Sequence, residues 1–145
     1  DPGGATMRGI TLSTYRAFKN SPNLSTTDLK GISDADISDI YRRQYWDPCG
    51  CSALCAGLDL AVFNFAVNAG VRRCALILQH VAGVPTDGTI GVHTVSAANS
   101  TSGMVDKFLD ETEKYYRALP IFGTFGSGWI NRVETVRSIA KNMGS

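Results

Sequence analysis

Apolar residues recur at three- and four-residue spacings along most of the chain, and alternating, strand-like stretches are scarce. The first helical stretch carries Leu12, Tyr15 and Phe18, with Thr11 placed to cap it and Ser21-Pro22 to stop it. Leu29, Ile32 and the acidic residues Asp34 and Asp36 lead into a second helix, whose apolar face is Ile37, Ile40, Tyr41 and Tyr45. Trp46-Asp47-Pro48 ends it, because the residue before a proline avoids helical backbone angles. A third helix starts near Ser52 to Cys55 and runs to Asn68 through Leu58, Leu60, Val62, Phe63, Phe65 and Ala66. It is apolar nearly all round, the pattern of a helix buried at the centre of a domain, and Gly70 terminates it.

Helical spacing resumes over 72–81 and gives way to a turn-rich link, Gly83-Val84-Pro85-Thr86-Asp87-Gly88-Thr89-Ile90-Gly91. A short helix over 94–99, a long one over 102–119 and a last one over 129–142 complete the pattern. Between the last two lies a glycine- and phenylalanine-rich loop, whose Phe122 and Phe125 are placed to cover an apolar surface. The expected fold is mainly α, one domain over 1–145, with a small N-terminal loop or hairpin near residues 3–12. No internal repeat is visible.

Charge and composition narrow the function. At 145 residues and 43% hydrophobic content, the chain can bury a real core. Fourteen basic and thirteen acidic side chains nearly cancel, and only the pairs Arg42-Arg43 and Arg72-Arg73 are locally basic. No stripe could track a phosphate backbone, so nucleic acid is not an expected partner. No apolar run is long enough to span a bilayer, and no export signal is visible. Cys49, Cys51 and Cys55 crowd one loop, with two readings open: a disulfide, most simply Cys49 to Cys55, or reduced thiols. Cys74 lies a helix away and reads as a small buried hydrophobe. Neither it nor His80 or His93 has ligand-like spacing to the cluster, so no metal and no cofactor are expected.

Candidate chemistry concentrates at two places. The opening segment, Asp1-Pro2-Gly3-Gly4-Ala5-Thr6-Met7-Arg8-Gly9-Ile10-Thr11, is too rich in glycine to hold large side chains. It is suited to presenting Asp1, Thr6 and Thr11 at fixed positions. The second place is the end of the third helix, where Asn68 is either a helix cap or a polar group facing a ligand. Asn64 lies one turn earlier on the same face. Tyr45 and Trp46, just before a turn, either stack on a flat ligand or pack at the edge of the core. The three glutamates, Glu111, Glu113 and Glu134, each have basic neighbours at helical spacing and read as surface ion-pair partners.

The chain resembles glycoside hydrolase family 108, the phage-lysin and bacterial muramidases. The resemblance rests on the Asp1 to Thr11 segment, Tyr45-Trp46-Asp47-Pro48, Val67-Asn68-Ala69-Gly70, Leu78-Gln79 with Thr86 to Thr94, and Tyr115-Tyr116 with Phe125 and Gly128 to Val133, in that order. It implies a lysozyme-like domain with a catalytic-type half over 1–70 and a peptidoglycan-binding-type helical half over 71–145. It also implies a muramidase cutting the bond between N-acetylmuramic acid and N-acetylglucosamine, as a monomer, in the periplasm, outside the cell or as a phage lysin. The family's catalytic glutamate is expected upstream of Asp1, with Asp1 and Thr6 holding the attacking water. Asn64, Asn68, Tyr45, Trp46 and Arg8 are the expected glycan contacts. Met7-Arg8 stands where the family often has asparagine followed by an aromatic residue. The alternative is a non-catalytic peptidoglycan-binding or secretion-associated domain of the same fold.

Overall fold

The computed structural model describes residues 6, 7, 9–119, 131 and 133–140. The chain divides into two compact units, Asp1–Arg43 and Gln44–Ser145.

In the first unit, strands β1 (Thr6–Met7) and β2 (Ile10–Thr11) form the expected hairpin, with Thr6 opposite Thr11 and Met7 opposite Ile10. Helix α1 (Leu12–Lys19) follows at once, its first turn capped by the Thr11 hydroxyl, which accepts from the Thr14 amide at 3.1 Å. Asn20 ends it in the left-handed region at φ 52°, ahead of the expected Ser21-Pro22 stop. What read as the approach to one helix is instead a separate short one, α2 (Thr26–Lys30). Ser25 and Asp28 close a reciprocal capping box at its start. Helix α3 (Asp34–Tyr41) has its own cap, Ser33. Ile10, Tyr15, Leu29, Ile32, Ile37 and Ile40 form this unit's buried core.

Helix α3 runs on into a π-helical turn, Arg42–Trp46. The wider turn breaks the apolar stripe expected from Ile37 through Tyr45. Tyr41 packs on the first unit's core, whereas Tyr45 and Trp46 pack on the core of the second.

The second unit is built on helix α4 (Leu58–Ala69), where Asn68 alone is exposed. Helix α5 (Val71–Ala82) packs on it directly. Helix α6 (Val92–Ser100) packs on α5, and α7 (Met104–Ala118) packs on both α4 and α5. Phe65 is the centre of this packing, with the rings of Phe108, Tyr115 and Tyr116 edge-on to it at 6.0, 5.5 and 5.5 Å. A final helix, residues 133–140, is tied to α7 by Arg137. Its guanidinium bonds Asp106, lies 2.8 Å from Asp110, and reaches Glu134 at 3.5 Å. The expected loop over 120–128, with Phe122 and Phe125, lies outside the described residues.

The turn-rich link after α5 is organised by one buried side chain. Gln79 is 1% exposed. Its amide nitrogen donates toward Asp87 Oδ1 (2.8 Å), the Thr89 carbonyl (3.0 Å) and Thr94 Oγ1 (3.2 Å), and its oxygen accepts from the Gly88 amide at 2.9 Å. The Thr89 amide, and then Gln79, hold the Asp87 carboxyl below its ordinary pKa. That contribution is therefore present at neutral pH and is lost as pH falls through the depressed value.

The four cysteines are free thiols, so the loop disulfide expected between Cys49 and Cys55 is not formed. A short 3-10 turn, Cys51–Ala53, directs the loop so that Cys49 and Cys51 are fully buried while Cys55 faces solvent. Cys74 is buried, as read from its apolar neighbours, and its thiol donates to the Val62 carbonyl of α4 at 3.4 Å.

Two predictions concern this scaffold. Gly57 opens α4 at φ +95°, and a Cβ there would collide with the Ala140 backbone. Gly57→Ala should cost about 2 kcal/mol or more, against about 1 kcal/mol for Gly83→Ala, whose left-handed position faces open space. Equal denaturation midpoints for the two variants would contradict this packing. Gln79→Leu should cost about 2–3 kcal/mol by stranding the Gly88 amide, read as a fall in Tm of about 5–10 °C. An unchanged Tm would mean that the link does not depend on that amide.

Candidate functional site

The hairpin positions the Thr6 backbone by strand pairing. Its strand partner Thr11 is also the cap of α1 and donates its hydroxyl to Thr14 Oγ1 at 2.9 Å, so the register of β1 is referred to a helix terminus. Gly9 makes the reversal between the strands possible. It sits at φ +83°, and a Cβ on it would come within 2.5 Å of the Tyr41 hydroxyl oxygen. A side chain there would displace either the turn or α3, and with it the strand that carries Thr6. Asp1 and Arg8 lie outside the described residues.

The other four expected contact residues belong to the second unit. Trp46 is half-buried, with its indole N–H donated to Ser52 Oγ at 2.7 Å and its ring edge-on to Phe63 at 5.5 Å. It is thereby fixed on α4, the helix that carries Asn64 and Asn68. Ser52 is kept in place by its neighbours, since Asn99 donates to the Ala53 carbonyl at 2.8 Å and accepts from the Cys55 amide at 2.9 Å. Tyr45 is also half-buried against the same core. Both aromatic residues are core-edge groups by packing.

Asn68 is not the cap of α4. Gly70 takes that role, its amide bonding the Ala66 carbonyl at 2.8 Å. The Asn68 amide instead reaches the Tyr116 hydroxyl at 3.4 Å and is otherwise turned outward. Asn64, one turn earlier, is half-buried. Beside Tyr116, the Tyr115 ring carries the Arg73 guanidinium 5.6 Å from its centroid. Tyr116, Arg73 and Ser52 are the partners that sequence reasoning missed. The Tyr115-Tyr116 pair was visible as a motif, but no local spacing ties residue 116 to residue 68.

No glutamate among the described residues is poised as an acid. Glu111 pairs with Lys114 at 3.0 Å, Glu113 with Arg117 at 3.0 Å, and Glu134 with Arg137 at 3.5 Å. These are the surface pairs read from helical spacing. Among the described residues no helix is long and apolar enough to cross a membrane.

Comparison with known proteins matches these features. Residues 1–70, which hold the hairpin and α4, fit the sequence profile described as Glycosyl hydrolase 108. The solved structure of Brucella abortus SagA is 37% identical, with a TM-score of 0.85 over 99% of this chain and 83% of that one. No curated protein matches. The mainly helical, lysozyme-like fold expected from the sequence is the fold found. The chain belongs to glycosyl hydrolase family 108, a family of lysozyme-like peptidoglycan hydrolases.

Proposed function

We propose that this chain is the body of an N-acetylmuramidase, cutting the β-1,4 bond between N-acetylmuramic acid and N-acetylglucosamine in peptidoglycan. The observation that carries the reading is the family match over residues 1–70, which includes the Asp1 to Thr11 segment where the water-holding residues are assigned. Glycoside hydrolysis needs an acid to protonate the leaving oxygen and a second group to direct water or attack the anomeric carbon. The acid is assigned to a glutamate upstream of Asp1. The pairing of Glu111, Glu113 and Glu134 with Lys114, Arg117 and Arg137 supports that assignment, because each carboxylate is engaged with a neighbouring cation on a helix surface.

Asp1 is assigned to accept the water's proton, and Thr6 to orient that water without competing for charge. Asn64, Asn68, Tyr45, Trp46 and Arg8 are assigned to the glycan. Asn68 supports this best, since its amide is exposed and anchored by a long hydrogen bond to Tyr116 that a sugar N-acetyl group could replace. Trp46 offers a ring face whose tilt is set by Ser52 and Phe63. The enzyme acts on the wall as a monomer, outside the cytoplasm, and a protein of this fold that bound peptidoglycan without cutting it would be the alternative.

A form extended upstream to include the glutamate should clear a suspension of purified peptidoglycan. Residues 1–145 alone should be slower by 10²–10⁴-fold, the usual cost of losing a positioned acid. Equal clearing by both forms would place the acid within residues 1–145. Binding without clearing by the extended form would favour the alternative. In the extended form, Thr6→Val should lower kcat by about 10²-fold, whereas Asn68→Ala should act mainly on KM. Unchanged kcat in Thr6→Val would remove Thr6 from the water.

The same assignment predicts inversion, with the α-anomer released first from the β-linked glycan. NMR during early turnover distinguishes the two courses. First release of the β-anomer would make Asp1 a nucleophile and not a water-holder.

A further inference from the structure

The first turn of α5 carries two arginines that are placed differently. The Arg72 guanidinium packs against Gly88 in the turn-rich link, where a Cβ would collide with it. Arg73 is exposed, and its guanidinium lies 5.6 Å from the centroid of the Tyr115 ring. Among the described residues no carboxylate pairs with it, whereas Glu111 and Glu113, on the helix that carries Tyr115, pair with Lys114 and Arg117.

The ring beneath Arg73 is held in place. Tyr115 is half-buried, edge-on to Phe65 at 5.5 Å and to Tyr116 at 5.9 Å. Phe65 is itself fixed in the core. Tyr116 in turn meets the Asn68 amide through its hydroxyl, at 3.4 Å. An exposed amide from the end of α4 and an exposed guanidinium from the start of α5 are thereby carried on two adjoining rings. A guanidinium laid on a fixed ring keeps its N–H donors for a further partner, and it loses less freedom when that partner arrives.

We propose that Arg73 binds a carboxylate on the lactyl arm of N-acetylmuramic acid, and so reads that sugar in the glycan strand. The proposal rests on the assignment of Asn68 to the glycan. In N-acetylmuramic acid the N-acetyl group and the lactyl ether stand on neighbouring ring carbons. An amide suits the first group. A guanidinium suits an acid at the end of the second, because it can donate two parallel N–H bonds to a carboxylate. N-acetylglucosamine has a hydroxyl in place of the lactyl ether and offers Arg73 no charge. The carboxylate has two sources of the same chemistry: the free lactyl acid, or an acidic residue of a peptide amide-linked to it.

The test is a calorimetric titration of residues 1–145 with tetrasaccharides that differ in this arm. One alternates N-acetylglucosamine with N-acetylmuramic acid and has free lactyl acids. The others are its neutral methyl ester, the same glycan with L-alanyl-D-glutamate on each lactyl arm, and chitotetraose. Arg73→Gln, at an exposed position, should keep the parent Tm. It should weaken binding of the charged glycans about 5- to 10-fold and leave the methyl ester and chitotetraose unchanged. Loss with the free acid assigns the lactyl carboxylate, and loss confined to the peptide-bearing glycan assigns the peptide's. Arg73→Lys, which keeps the charge and loses the paired donors, should restore only part of the affinity. Weakening of the methyl ester as much as the acid, or of neither charged glycan, would overturn the proposal. Asn68→Ala separates that failure from failure of the site, since weaker binding of all four glycans by this variant would leave the Asn68 assignment standing. Failure of every glycan to bind the unsubstituted chain would overturn both.

Discussion

A helix with no polar face must be covered on every side, and α4 is such a helix. Eleven of its twelve positions, from Leu58 to Ala69, are at least partly withdrawn from solvent. Each buried Leu, Val or Phe of that kind contributes about 1.5–3 kcal/mol only while its cover stays in place. The cover consists of α5, α7, the π-helical turn and the cysteine loop, and each is secured by a specific contact. Phe65 receives the three rings of α7, Phe63 receives Trp46, and the Val62 carbonyl lies against Cys74. Asn68 is the exception, the one exposed position of α4, and it is among the residues assigned to the glycan.

The polar elements follow from the same constraint. Burying a helix pair brings connecting loops close to the core, and their backbone groups then need partners. Gln79 answers this for the link after α5, and Asn99 does so for the cysteine loop. Both are single side chains bonding backbone on two sides, and Asn99 thereby holds the segment beside Ser52, the partner of the Trp46 indole.

Much of this was legible in the chain. The 3.6-residue period located α1, α4, α5 and α7, and the all-round apolarity of α4 marked it as central. Thr11 as a cap and the N-terminal hairpin followed from local chemistry. The π-helical turn did not, because Ile37, Ile40, Tyr41 and Tyr45 keep α-helical spacing, and only packing moves Tyr45 and Trp46 to the other core. The cysteines misled for a similar reason. Closeness in sequence suggested Cys49 with Cys55, whereas the turn at Cys51–Ala53 sends them to opposite environments, one buried and one exposed. Within the candidate site, residue types were readable from motif and resemblance. Their anchors, Ser52 and Tyr116, depend on contacts between distant segments.

The central claim is that this fold cuts after N-acetylmuramic acid. Peptidoglycan digested by the upstream-extended form can be reduced with borohydride and its sugars hydrolysed, so that each new reducing end is recorded as an alditol. The account predicts muramitol as the product that accumulates with digestion. Accumulation of glucosaminitol, or solubilised wall with neither alditol above background, would contradict it.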